Sequence, residues 1–79
     1  MTRSRLRWQC RRGMRELDTL LSAYLDHCYE SAPDEEKYAF EAVLELPDPE
    51  LVGYLLQGRQ APSDVMARVV ARILEPPSP

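Results

Sequence analysis

An all-α fold, a compact bundle of five helices forming a single domain over residues 1–75, is predicted by three features of the sequence. Apolar residues recur at three- and four-residue spacing, most clearly from Met14 to Cys28 and from Met66 to Ile73, which is the period of one helix face. No stretch alternates apolar and polar residues as a half-buried strand does. Glycines, prolines and cap-forming residues interrupt the chain at Gly13, Ser31, Pro33, Pro47, Pro49, Gly58 and Ser63, leaving pieces of helical length between them. A chain of 79 residues builds one small core and buries only about 60% of its unfolded surface, so it cannot also enclose a large substrate cavity.

Arg3 to Arg12 reads as a first, short helix. Leu6, Cys10 and Gly13 lie within a narrow arc of a helical wheel, whereas Arg5, Trp8 and Arg12 share a face turned away from them. With Leu6 and Cys10 inward, that second face becomes a contact surface of the residue types most enriched at binding hot spots. The alternative is that Trp8 folds back over the core and the arginines only solubilise. Arg11-Arg12-Gly13-Met14-Arg15-Glu16-Leu17-Asp18 then reads as the end of one helix, a corner and the start of the next. Glycine suits such a corner because it reaches left-handed angles without a Cβ clash and permits close approach. Glu16 and Asp18 fall where the positive end of the second helix favours acids.

The second helix runs from Met14 to about Glu30. Met14, Leu17, Leu21, Tyr24, Leu25 and Cys28 form its apolar stripe, with Arg15, Thr19, Ser22 and Asp26 opposite. Glu16 lies almost opposite the stripe, near His27, and is free to meet a partner. Asp18 lies at the stripe's margin, where it satisfies the helix start or pairs with an arginine of the preceding element. Ser31 and Asp34 have the spacing of a capping box for the third helix, whose inward face is Phe40, Val43 and Leu44, with Tyr38 and Leu46 added. Asp48-Pro49 restarts the chain in cap-then-proline order, and Leu51, Val52, Leu55 and Leu56 make a short buried helix ending at Gly58. Ser63 caps a last helix with Met66, Val69, Val70 and Ile73 inward. Residues 76–79, Pro-Pro-Ser-Pro, read as a disordered tail.

Chemistry is sparse. Cys10 and Cys28 are the only cysteines and His27 the only histidine, without the paired spacing of a zinc site; two lone thiols point to a reducing compartment. Adjacent residues on a helix diverge by about 100°, so Cys28 and His27 do not form a nucleophile–base pair. The acids Asp34, Glu35 and Glu36 fall in a first helical turn, where they answer the helix dipole. No apolar run approaches the roughly 20 residues that span a bilayer. The Arg-rich opening lacks the length and cleavage pattern of a transit peptide and reads as mature sequence, in keeping with a cytoplasmic protein that inserts in no membrane. Residues 1–15 carry a net charge of +6, residues 16–57 of −10 and residues 58–79 of +1. Such polarity suits a protein that meets a macromolecule with one end, although a self-neutralising surface gives the same numbers.

Trp8, Cys10 and Arg11 through Asp18 resemble the signature of the succinate dehydrogenase flavinylation and assembly factors, the SdhE type, whose hallmark is Arg-Gly-Met-x-Glu-Leu-Asp. The resemblance extends over nearly the whole chain. Ser31 to Lys37 is similar to that family's acidic helix opening, and Leu44 to Leu56 to its Leu-x-x-x-Asp-Pro-x-Leu-x-x-Trp-Leu segment, with Tyr54 in place of the usual tryptophan. It implies an all-helical, non-enzymatic assembly factor, expected to be monomeric. Such a protein binds the flavoprotein subunit of succinate dehydrogenase, and often of fumarate reductase, and promotes covalent FAD attachment there without stably holding FAD or another cofactor itself. Carried over residue by residue, the partner-binding set is Arg5, Trp8, Arg11, Arg12, Gly13, Met14, Glu16 and Asp18, with Arg12, Gly13 and Glu16 at its centre. A rival reading makes the arginine-rich helix a nucleic-acid-binding element of an antitoxin-like adaptor, with Trp8 stacking on a base; the acidic remainder of the chain opposes it.

Overall fold

The computed structural model describes residues 2–75, all of whose regular elements are helical: α1 (Thr2–Gln9), α2 (Arg15–His27), α3 (Asp34–Leu44), α4 (Asp48–Leu56) and α5 (Asp64–Leu74). The proline-rich tail expected at 76–79 lies outside the described residues. The fifth helix packs against α2, α3 and α4, while α1 lies across α2 and α3. The radius of gyration is 11.4 Å, against about 11.6 Å for a compact chain of this length.

One core serves all five helices. Leu6 of α1, Leu17, Leu21, Tyr24 and Leu25 of α2, Phe40, Val43 and Leu44 of α3, Leu51 and Leu55 of α4, and Val69 and Ile73 of α5 are buried together with Cys10. Phe40 is the aromatic centre, with the Tyr24 ring 4.4 Å and the Tyr29 ring 5.8 Å from its centroid. Tyr38, expected inward, is instead 68% exposed.

Helix boundaries depart from the sequence reading where capping differs. The first helix ends at Gln9, three residues before Arg12, because Cys10 N–H donates to Leu6 O and Arg11 N–H to Trp8 O, closing a final tight turn. Met14, expected at the head of the inward stripe, is instead the extended N-cap of α2 and is 36% exposed. The Ser31 capping box is absent. Pro33 is the N-cap of α3, so Ser31 lies too early to cap, and its hydroxyl donates to Cys28 O at 3.4 Å. Asp48 likewise is the first residue of α4 after N-cap Pro47. The expected cap at Ser63 does form, its Oγ accepting from Met66 N–H at 3.2 Å. Gly58 ends α4 with a φ of 71°, as the sequence indicates. Tyr54 has Arg59 over its ring at 5.3 Å.

The third acid of the run Asp34-Glu35-Glu36 does not sit in solvent with the other two. Glu36 is 1% exposed, and its Oε2 accepts the Tyr24 hydroxyl at 2.6 Å. Burial first, then this hydrogen bond, push the Tyr24 hydroxyl above its ordinary pKa. From α5, Arg72 feels the same carboxyl, which raises its guanidinium above the ordinary value. A buried bond therefore joins α2 to α3, and the charge of Arg72 on α5 responds to the same carboxyl. Tyr24→Phe leaves Glu36 buried without its donor and should cost about 1–3 kcal/mol, read as a lower urea midpoint; an unchanged midpoint would show that the bond contributes nothing.

Burial pushes the Cys10 thiol up to about 11 from its usual 9.0, against the opposing charges of Arg7 and Arg12. The neutral thiol is the form favoured by folding, so its contribution to stability is complete below pH 9 and is lost as pH rises through about 11. The stability difference between wild type and Cys10→Ala should narrow over that interval in urea titrations; a constant difference would contradict the assignment.

Candidate functional site

The corner between α1 and α2 is built on Gly13. Its φ is +77°, a left-handed angle that costs an L-residue roughly 1–2 kcal/mol, and nothing lies within 4 Å of the position a Cβ would take. The glycine is required for the turn, and the space beside it is open to an approaching chain. Gly13→Ala should lower stability by about 1–2 kcal/mol through the backbone alone, with Gly13→Asn milder, in thermal or urea unfolding; equal stability of all three would show a relaxed corner.

Around this glycine the motif residues divide into two sets. Arg11 and the run Gly13, Met14, Arg15 and Glu16 are exposed. Arg12 and Asp18 turn into the body. Asp18 Oδ1 accepts the main-chain N–H of Arg12 at 2.7 Å, so it reaches back to the arginine of the preceding segment, while the start of α2 has no side-chain cap. The Arg12 side chain, expected on an outward face with Arg5 and Trp8, is only 17% exposed. Because α1 stops at Gln9, Arg12 does not follow the helical wheel; its guanidinium donates to Leu44 O at the end of α3 and lies 3.6 Å from Asp48 Oδ1 at the start of α4. The sequence reading missed Asp48 as a partner, since its cap-then-proline setting concealed a free carboxyl. The usable signal was Gly13 itself, which implies that the residues just before it have left the helix.

On α1, Trp8 is 76% exposed and Arg5 is exposed beside it, both as expected. Arg7 pairs with Asp26 at the far end of α2, and Gln9 donates to Glu45 at 3.2 Å, so α1 is tied to its neighbours by side chains other than those two. Past Glu16, a shallow groove of about 410 Å³ is lined by Arg15, Glu16, Thr19, Leu20 and Leu56. The sequence did not reveal it, because it forms only when α2 and α4 come together. Among the described residues no group of three His, Cys, Asp or Glu side chains could hold a metal ion.

The class defined by these features is a small all-helical domain that projects a glycine-centred corner and an exposed tryptophan. The chain belongs to the family described as flavinator of succinate dehydrogenase, which matches residues 4–76. It is 40% identical over 73 residues to the FAD assembly factor SdhE of Shewanella oneidensis, covering 92% of this chain and 89% of that one. Identity to the SdhE of Pectobacterium atrosepticum is 35% over 71 residues, covering 90% and 81%. For the SdhE of Aliivibrio fischeri it is 34% over 73 residues, covering 92% and 85%. None of these similarities supports the nucleic-acid reading, and the pairing of Arg7 and Arg12 with acids removes part of the basic surface that reading needs.

Proposed function

We propose that this protein binds the flavoprotein subunit of succinate dehydrogenase and promotes covalent attachment of FAD to it, acting as a non-catalytic assembly factor. The observation that carries the reading is the similarity, over nine-tenths of the chain, to proteins named FAD assembly factor. The contact face consists of Arg11, Gly13, Met14 and Glu16 at the corner, flanked by Arg5 and Trp8 on α1. Open space beside Gly13 admits a partner's backbone, Glu16 offers a carboxyl to a donor, and Trp8 has the size and exposure of an interface anchor. The flavoprotein of fumarate reductase is a second client of the same chemistry. FAD belongs to the client, and this chain acts as a monomer in the cytoplasm; no helix of the described residues is long and apolar enough to cross a membrane.

Attachment joins a ring methyl of the flavin to a histidine of the client. A proton must leave the methyl and an electron pair must settle on the ring system, so ring and imidazole have to be held together in a reactive geometry. A partner that restrains a mobile part of the client around its flavin supplies that geometry without donating a catalytic group.

The test compares cells with and without this protein by separating the flavoprotein subunit on a denaturing gel and reading flavin fluorescence, which only covalent FAD survives. The fluorescent band should be lost without the protein, be restored by wild type and be much weaker with Glu16→Ala, whose thermal unfolding should match wild type. A band of unchanged intensity in the deleted cells would refute the proposal.

A further inference from the structure

We infer that Arg12, with Asp18 and Asp48, is a positioning residue that sets the shape in which Gly13 and Glu16 are presented, and that it does not itself touch the client. The inference deepens the proposed function and rests on it for the identity of the partner. Arg12 joins three elements to the corner at once. Its main-chain N–H is held by Asp18 of α2, while its side chain reaches Leu44 O of α3 and Asp48 of α4.

The acceptor at Leu44 is one of the last-turn carbonyls that a helix leaves without an internal partner. The closing bonds of α3 go from Glu45 N–H to Ala42 O and from Leu46 N–H to Val43 O, leaving Leu44 O for the guanidinium. A planar guanidinium can serve a carbonyl and a carboxylate with separate nitrogens, which an ammonium at one point cannot match. Its third nitrogen, Nε, is buried with no hydrogen-bond partner. With its outer nitrogens turned toward α3 and α4 and Nε enclosed, Arg12 has little left to offer a carboxylate on another protein. Glu16 carries the opposite pattern, since it is exposed and lies just past the braced turn.

The experiment uses the full chain with Arg12→Ala, Arg12→Lys, Asp48→Ala, Asp18→Ala, Asp18→Asn, Glu16→Ala and the Arg12→Ala/Asp48→Ala double variant. Affinity for the purified flavoprotein subunit of succinate dehydrogenase and amide hydrogen exchange of the free protein are both measured. Asp48→Ala alone should weaken binding by roughly tenfold yet add nothing in the Arg12→Ala background, as expected of residues acting through one another. Asp18→Ala should speed exchange at the Arg12 amide and weaken binding, whereas Asp18→Asn, which retains the acceptor oxygen, should restore both. Arg12→Lys should behave like Arg12→Ala, and Glu16→Ala should lose binding with exchange unchanged. Additive losses for Arg12 and Asp48, full binding by Arg12→Lys, or unchanged exchange in Asp18→Ala would each overturn the inference. Failure of the wild-type chain to bind the flavoprotein would instead defeat the proposed function, with the exchange data still deciding whether Arg12 and Asp18 brace the corner.

Discussion

The left-handed turn at Gly13 is what allows the first eight-residue helix to lie back across α2 and α3. Every contact that α1 makes with the body depends on that reversal, from Leu6 in the core to the Arg7–Asp26 pair, and so does the burial of Cys10 just past its end. A fully buried leucine contributes about 1.5–3 kcal/mol, and a domain of this kind holds only about 5–15 kcal/mol in total. In the proposed function the contact face sits on this same turn, which couples recognition to stability. The turn is held from behind by hydrogen bonds and leaves Gly13 and Glu16 exposed in front, so a substitution in either set changes the shape of that exposed surface.

A second constraint lies at the centre of the bundle. Apolar side chains from all five helices pack around Phe40, and such contacts are non-directional; they would tolerate some rotation of one helix against another. The Glu36 carboxyl adds direction. Its bond from Tyr24 fixes α3 relative to α2 and satisfies a polar group whose burial would otherwise be costly, while the Arg72 charge on α5 feels the same carboxyl. Cys10, by contrast, behaves as a small apolar side chain, its thiol kept neutral by burial.

The five helices were legible because each combines apolar periodicity with a stop that works through local backbone chemistry. Gly58 and Ser63 act on their immediate neighbours, and both did what the sequence indicates. Caps that depend on a register of one or two residues were less legible. Prolines at 33 and 47 became N-caps in place of Ser31 and Asp48, since a proline's fixed φ and missing N–H suit the position just outside a helix. The inward turn of Glu36 had no local signal, because its hydroxyl partner is twelve residues away. Arg12 illustrates the same limit at the candidate site. The motif and its exposed members, Gly13 and Glu16, could be read from sequence, but the acceptors that draw Arg12 inward come from α3 and α4, more than thirty residues on. Wheel reasoning fails beyond the last residue of a helix, and Arg12 lies three residues past the end of α1.

The most direct test of the account is to titrate the isotope-labelled chain with the flavoprotein subunit of succinate dehydrogenase and follow its backbone amide resonances. Broadening or shifts centred on Arg11, Gly13, Met14 and Glu16, extending to Trp8 and leaving the outer face of α5 unaffected, would establish that the braced corner is the surface the partner meets. Perturbation centred on α5 or on the exposed side of α3 near Tyr38, with the corner silent, would contradict it.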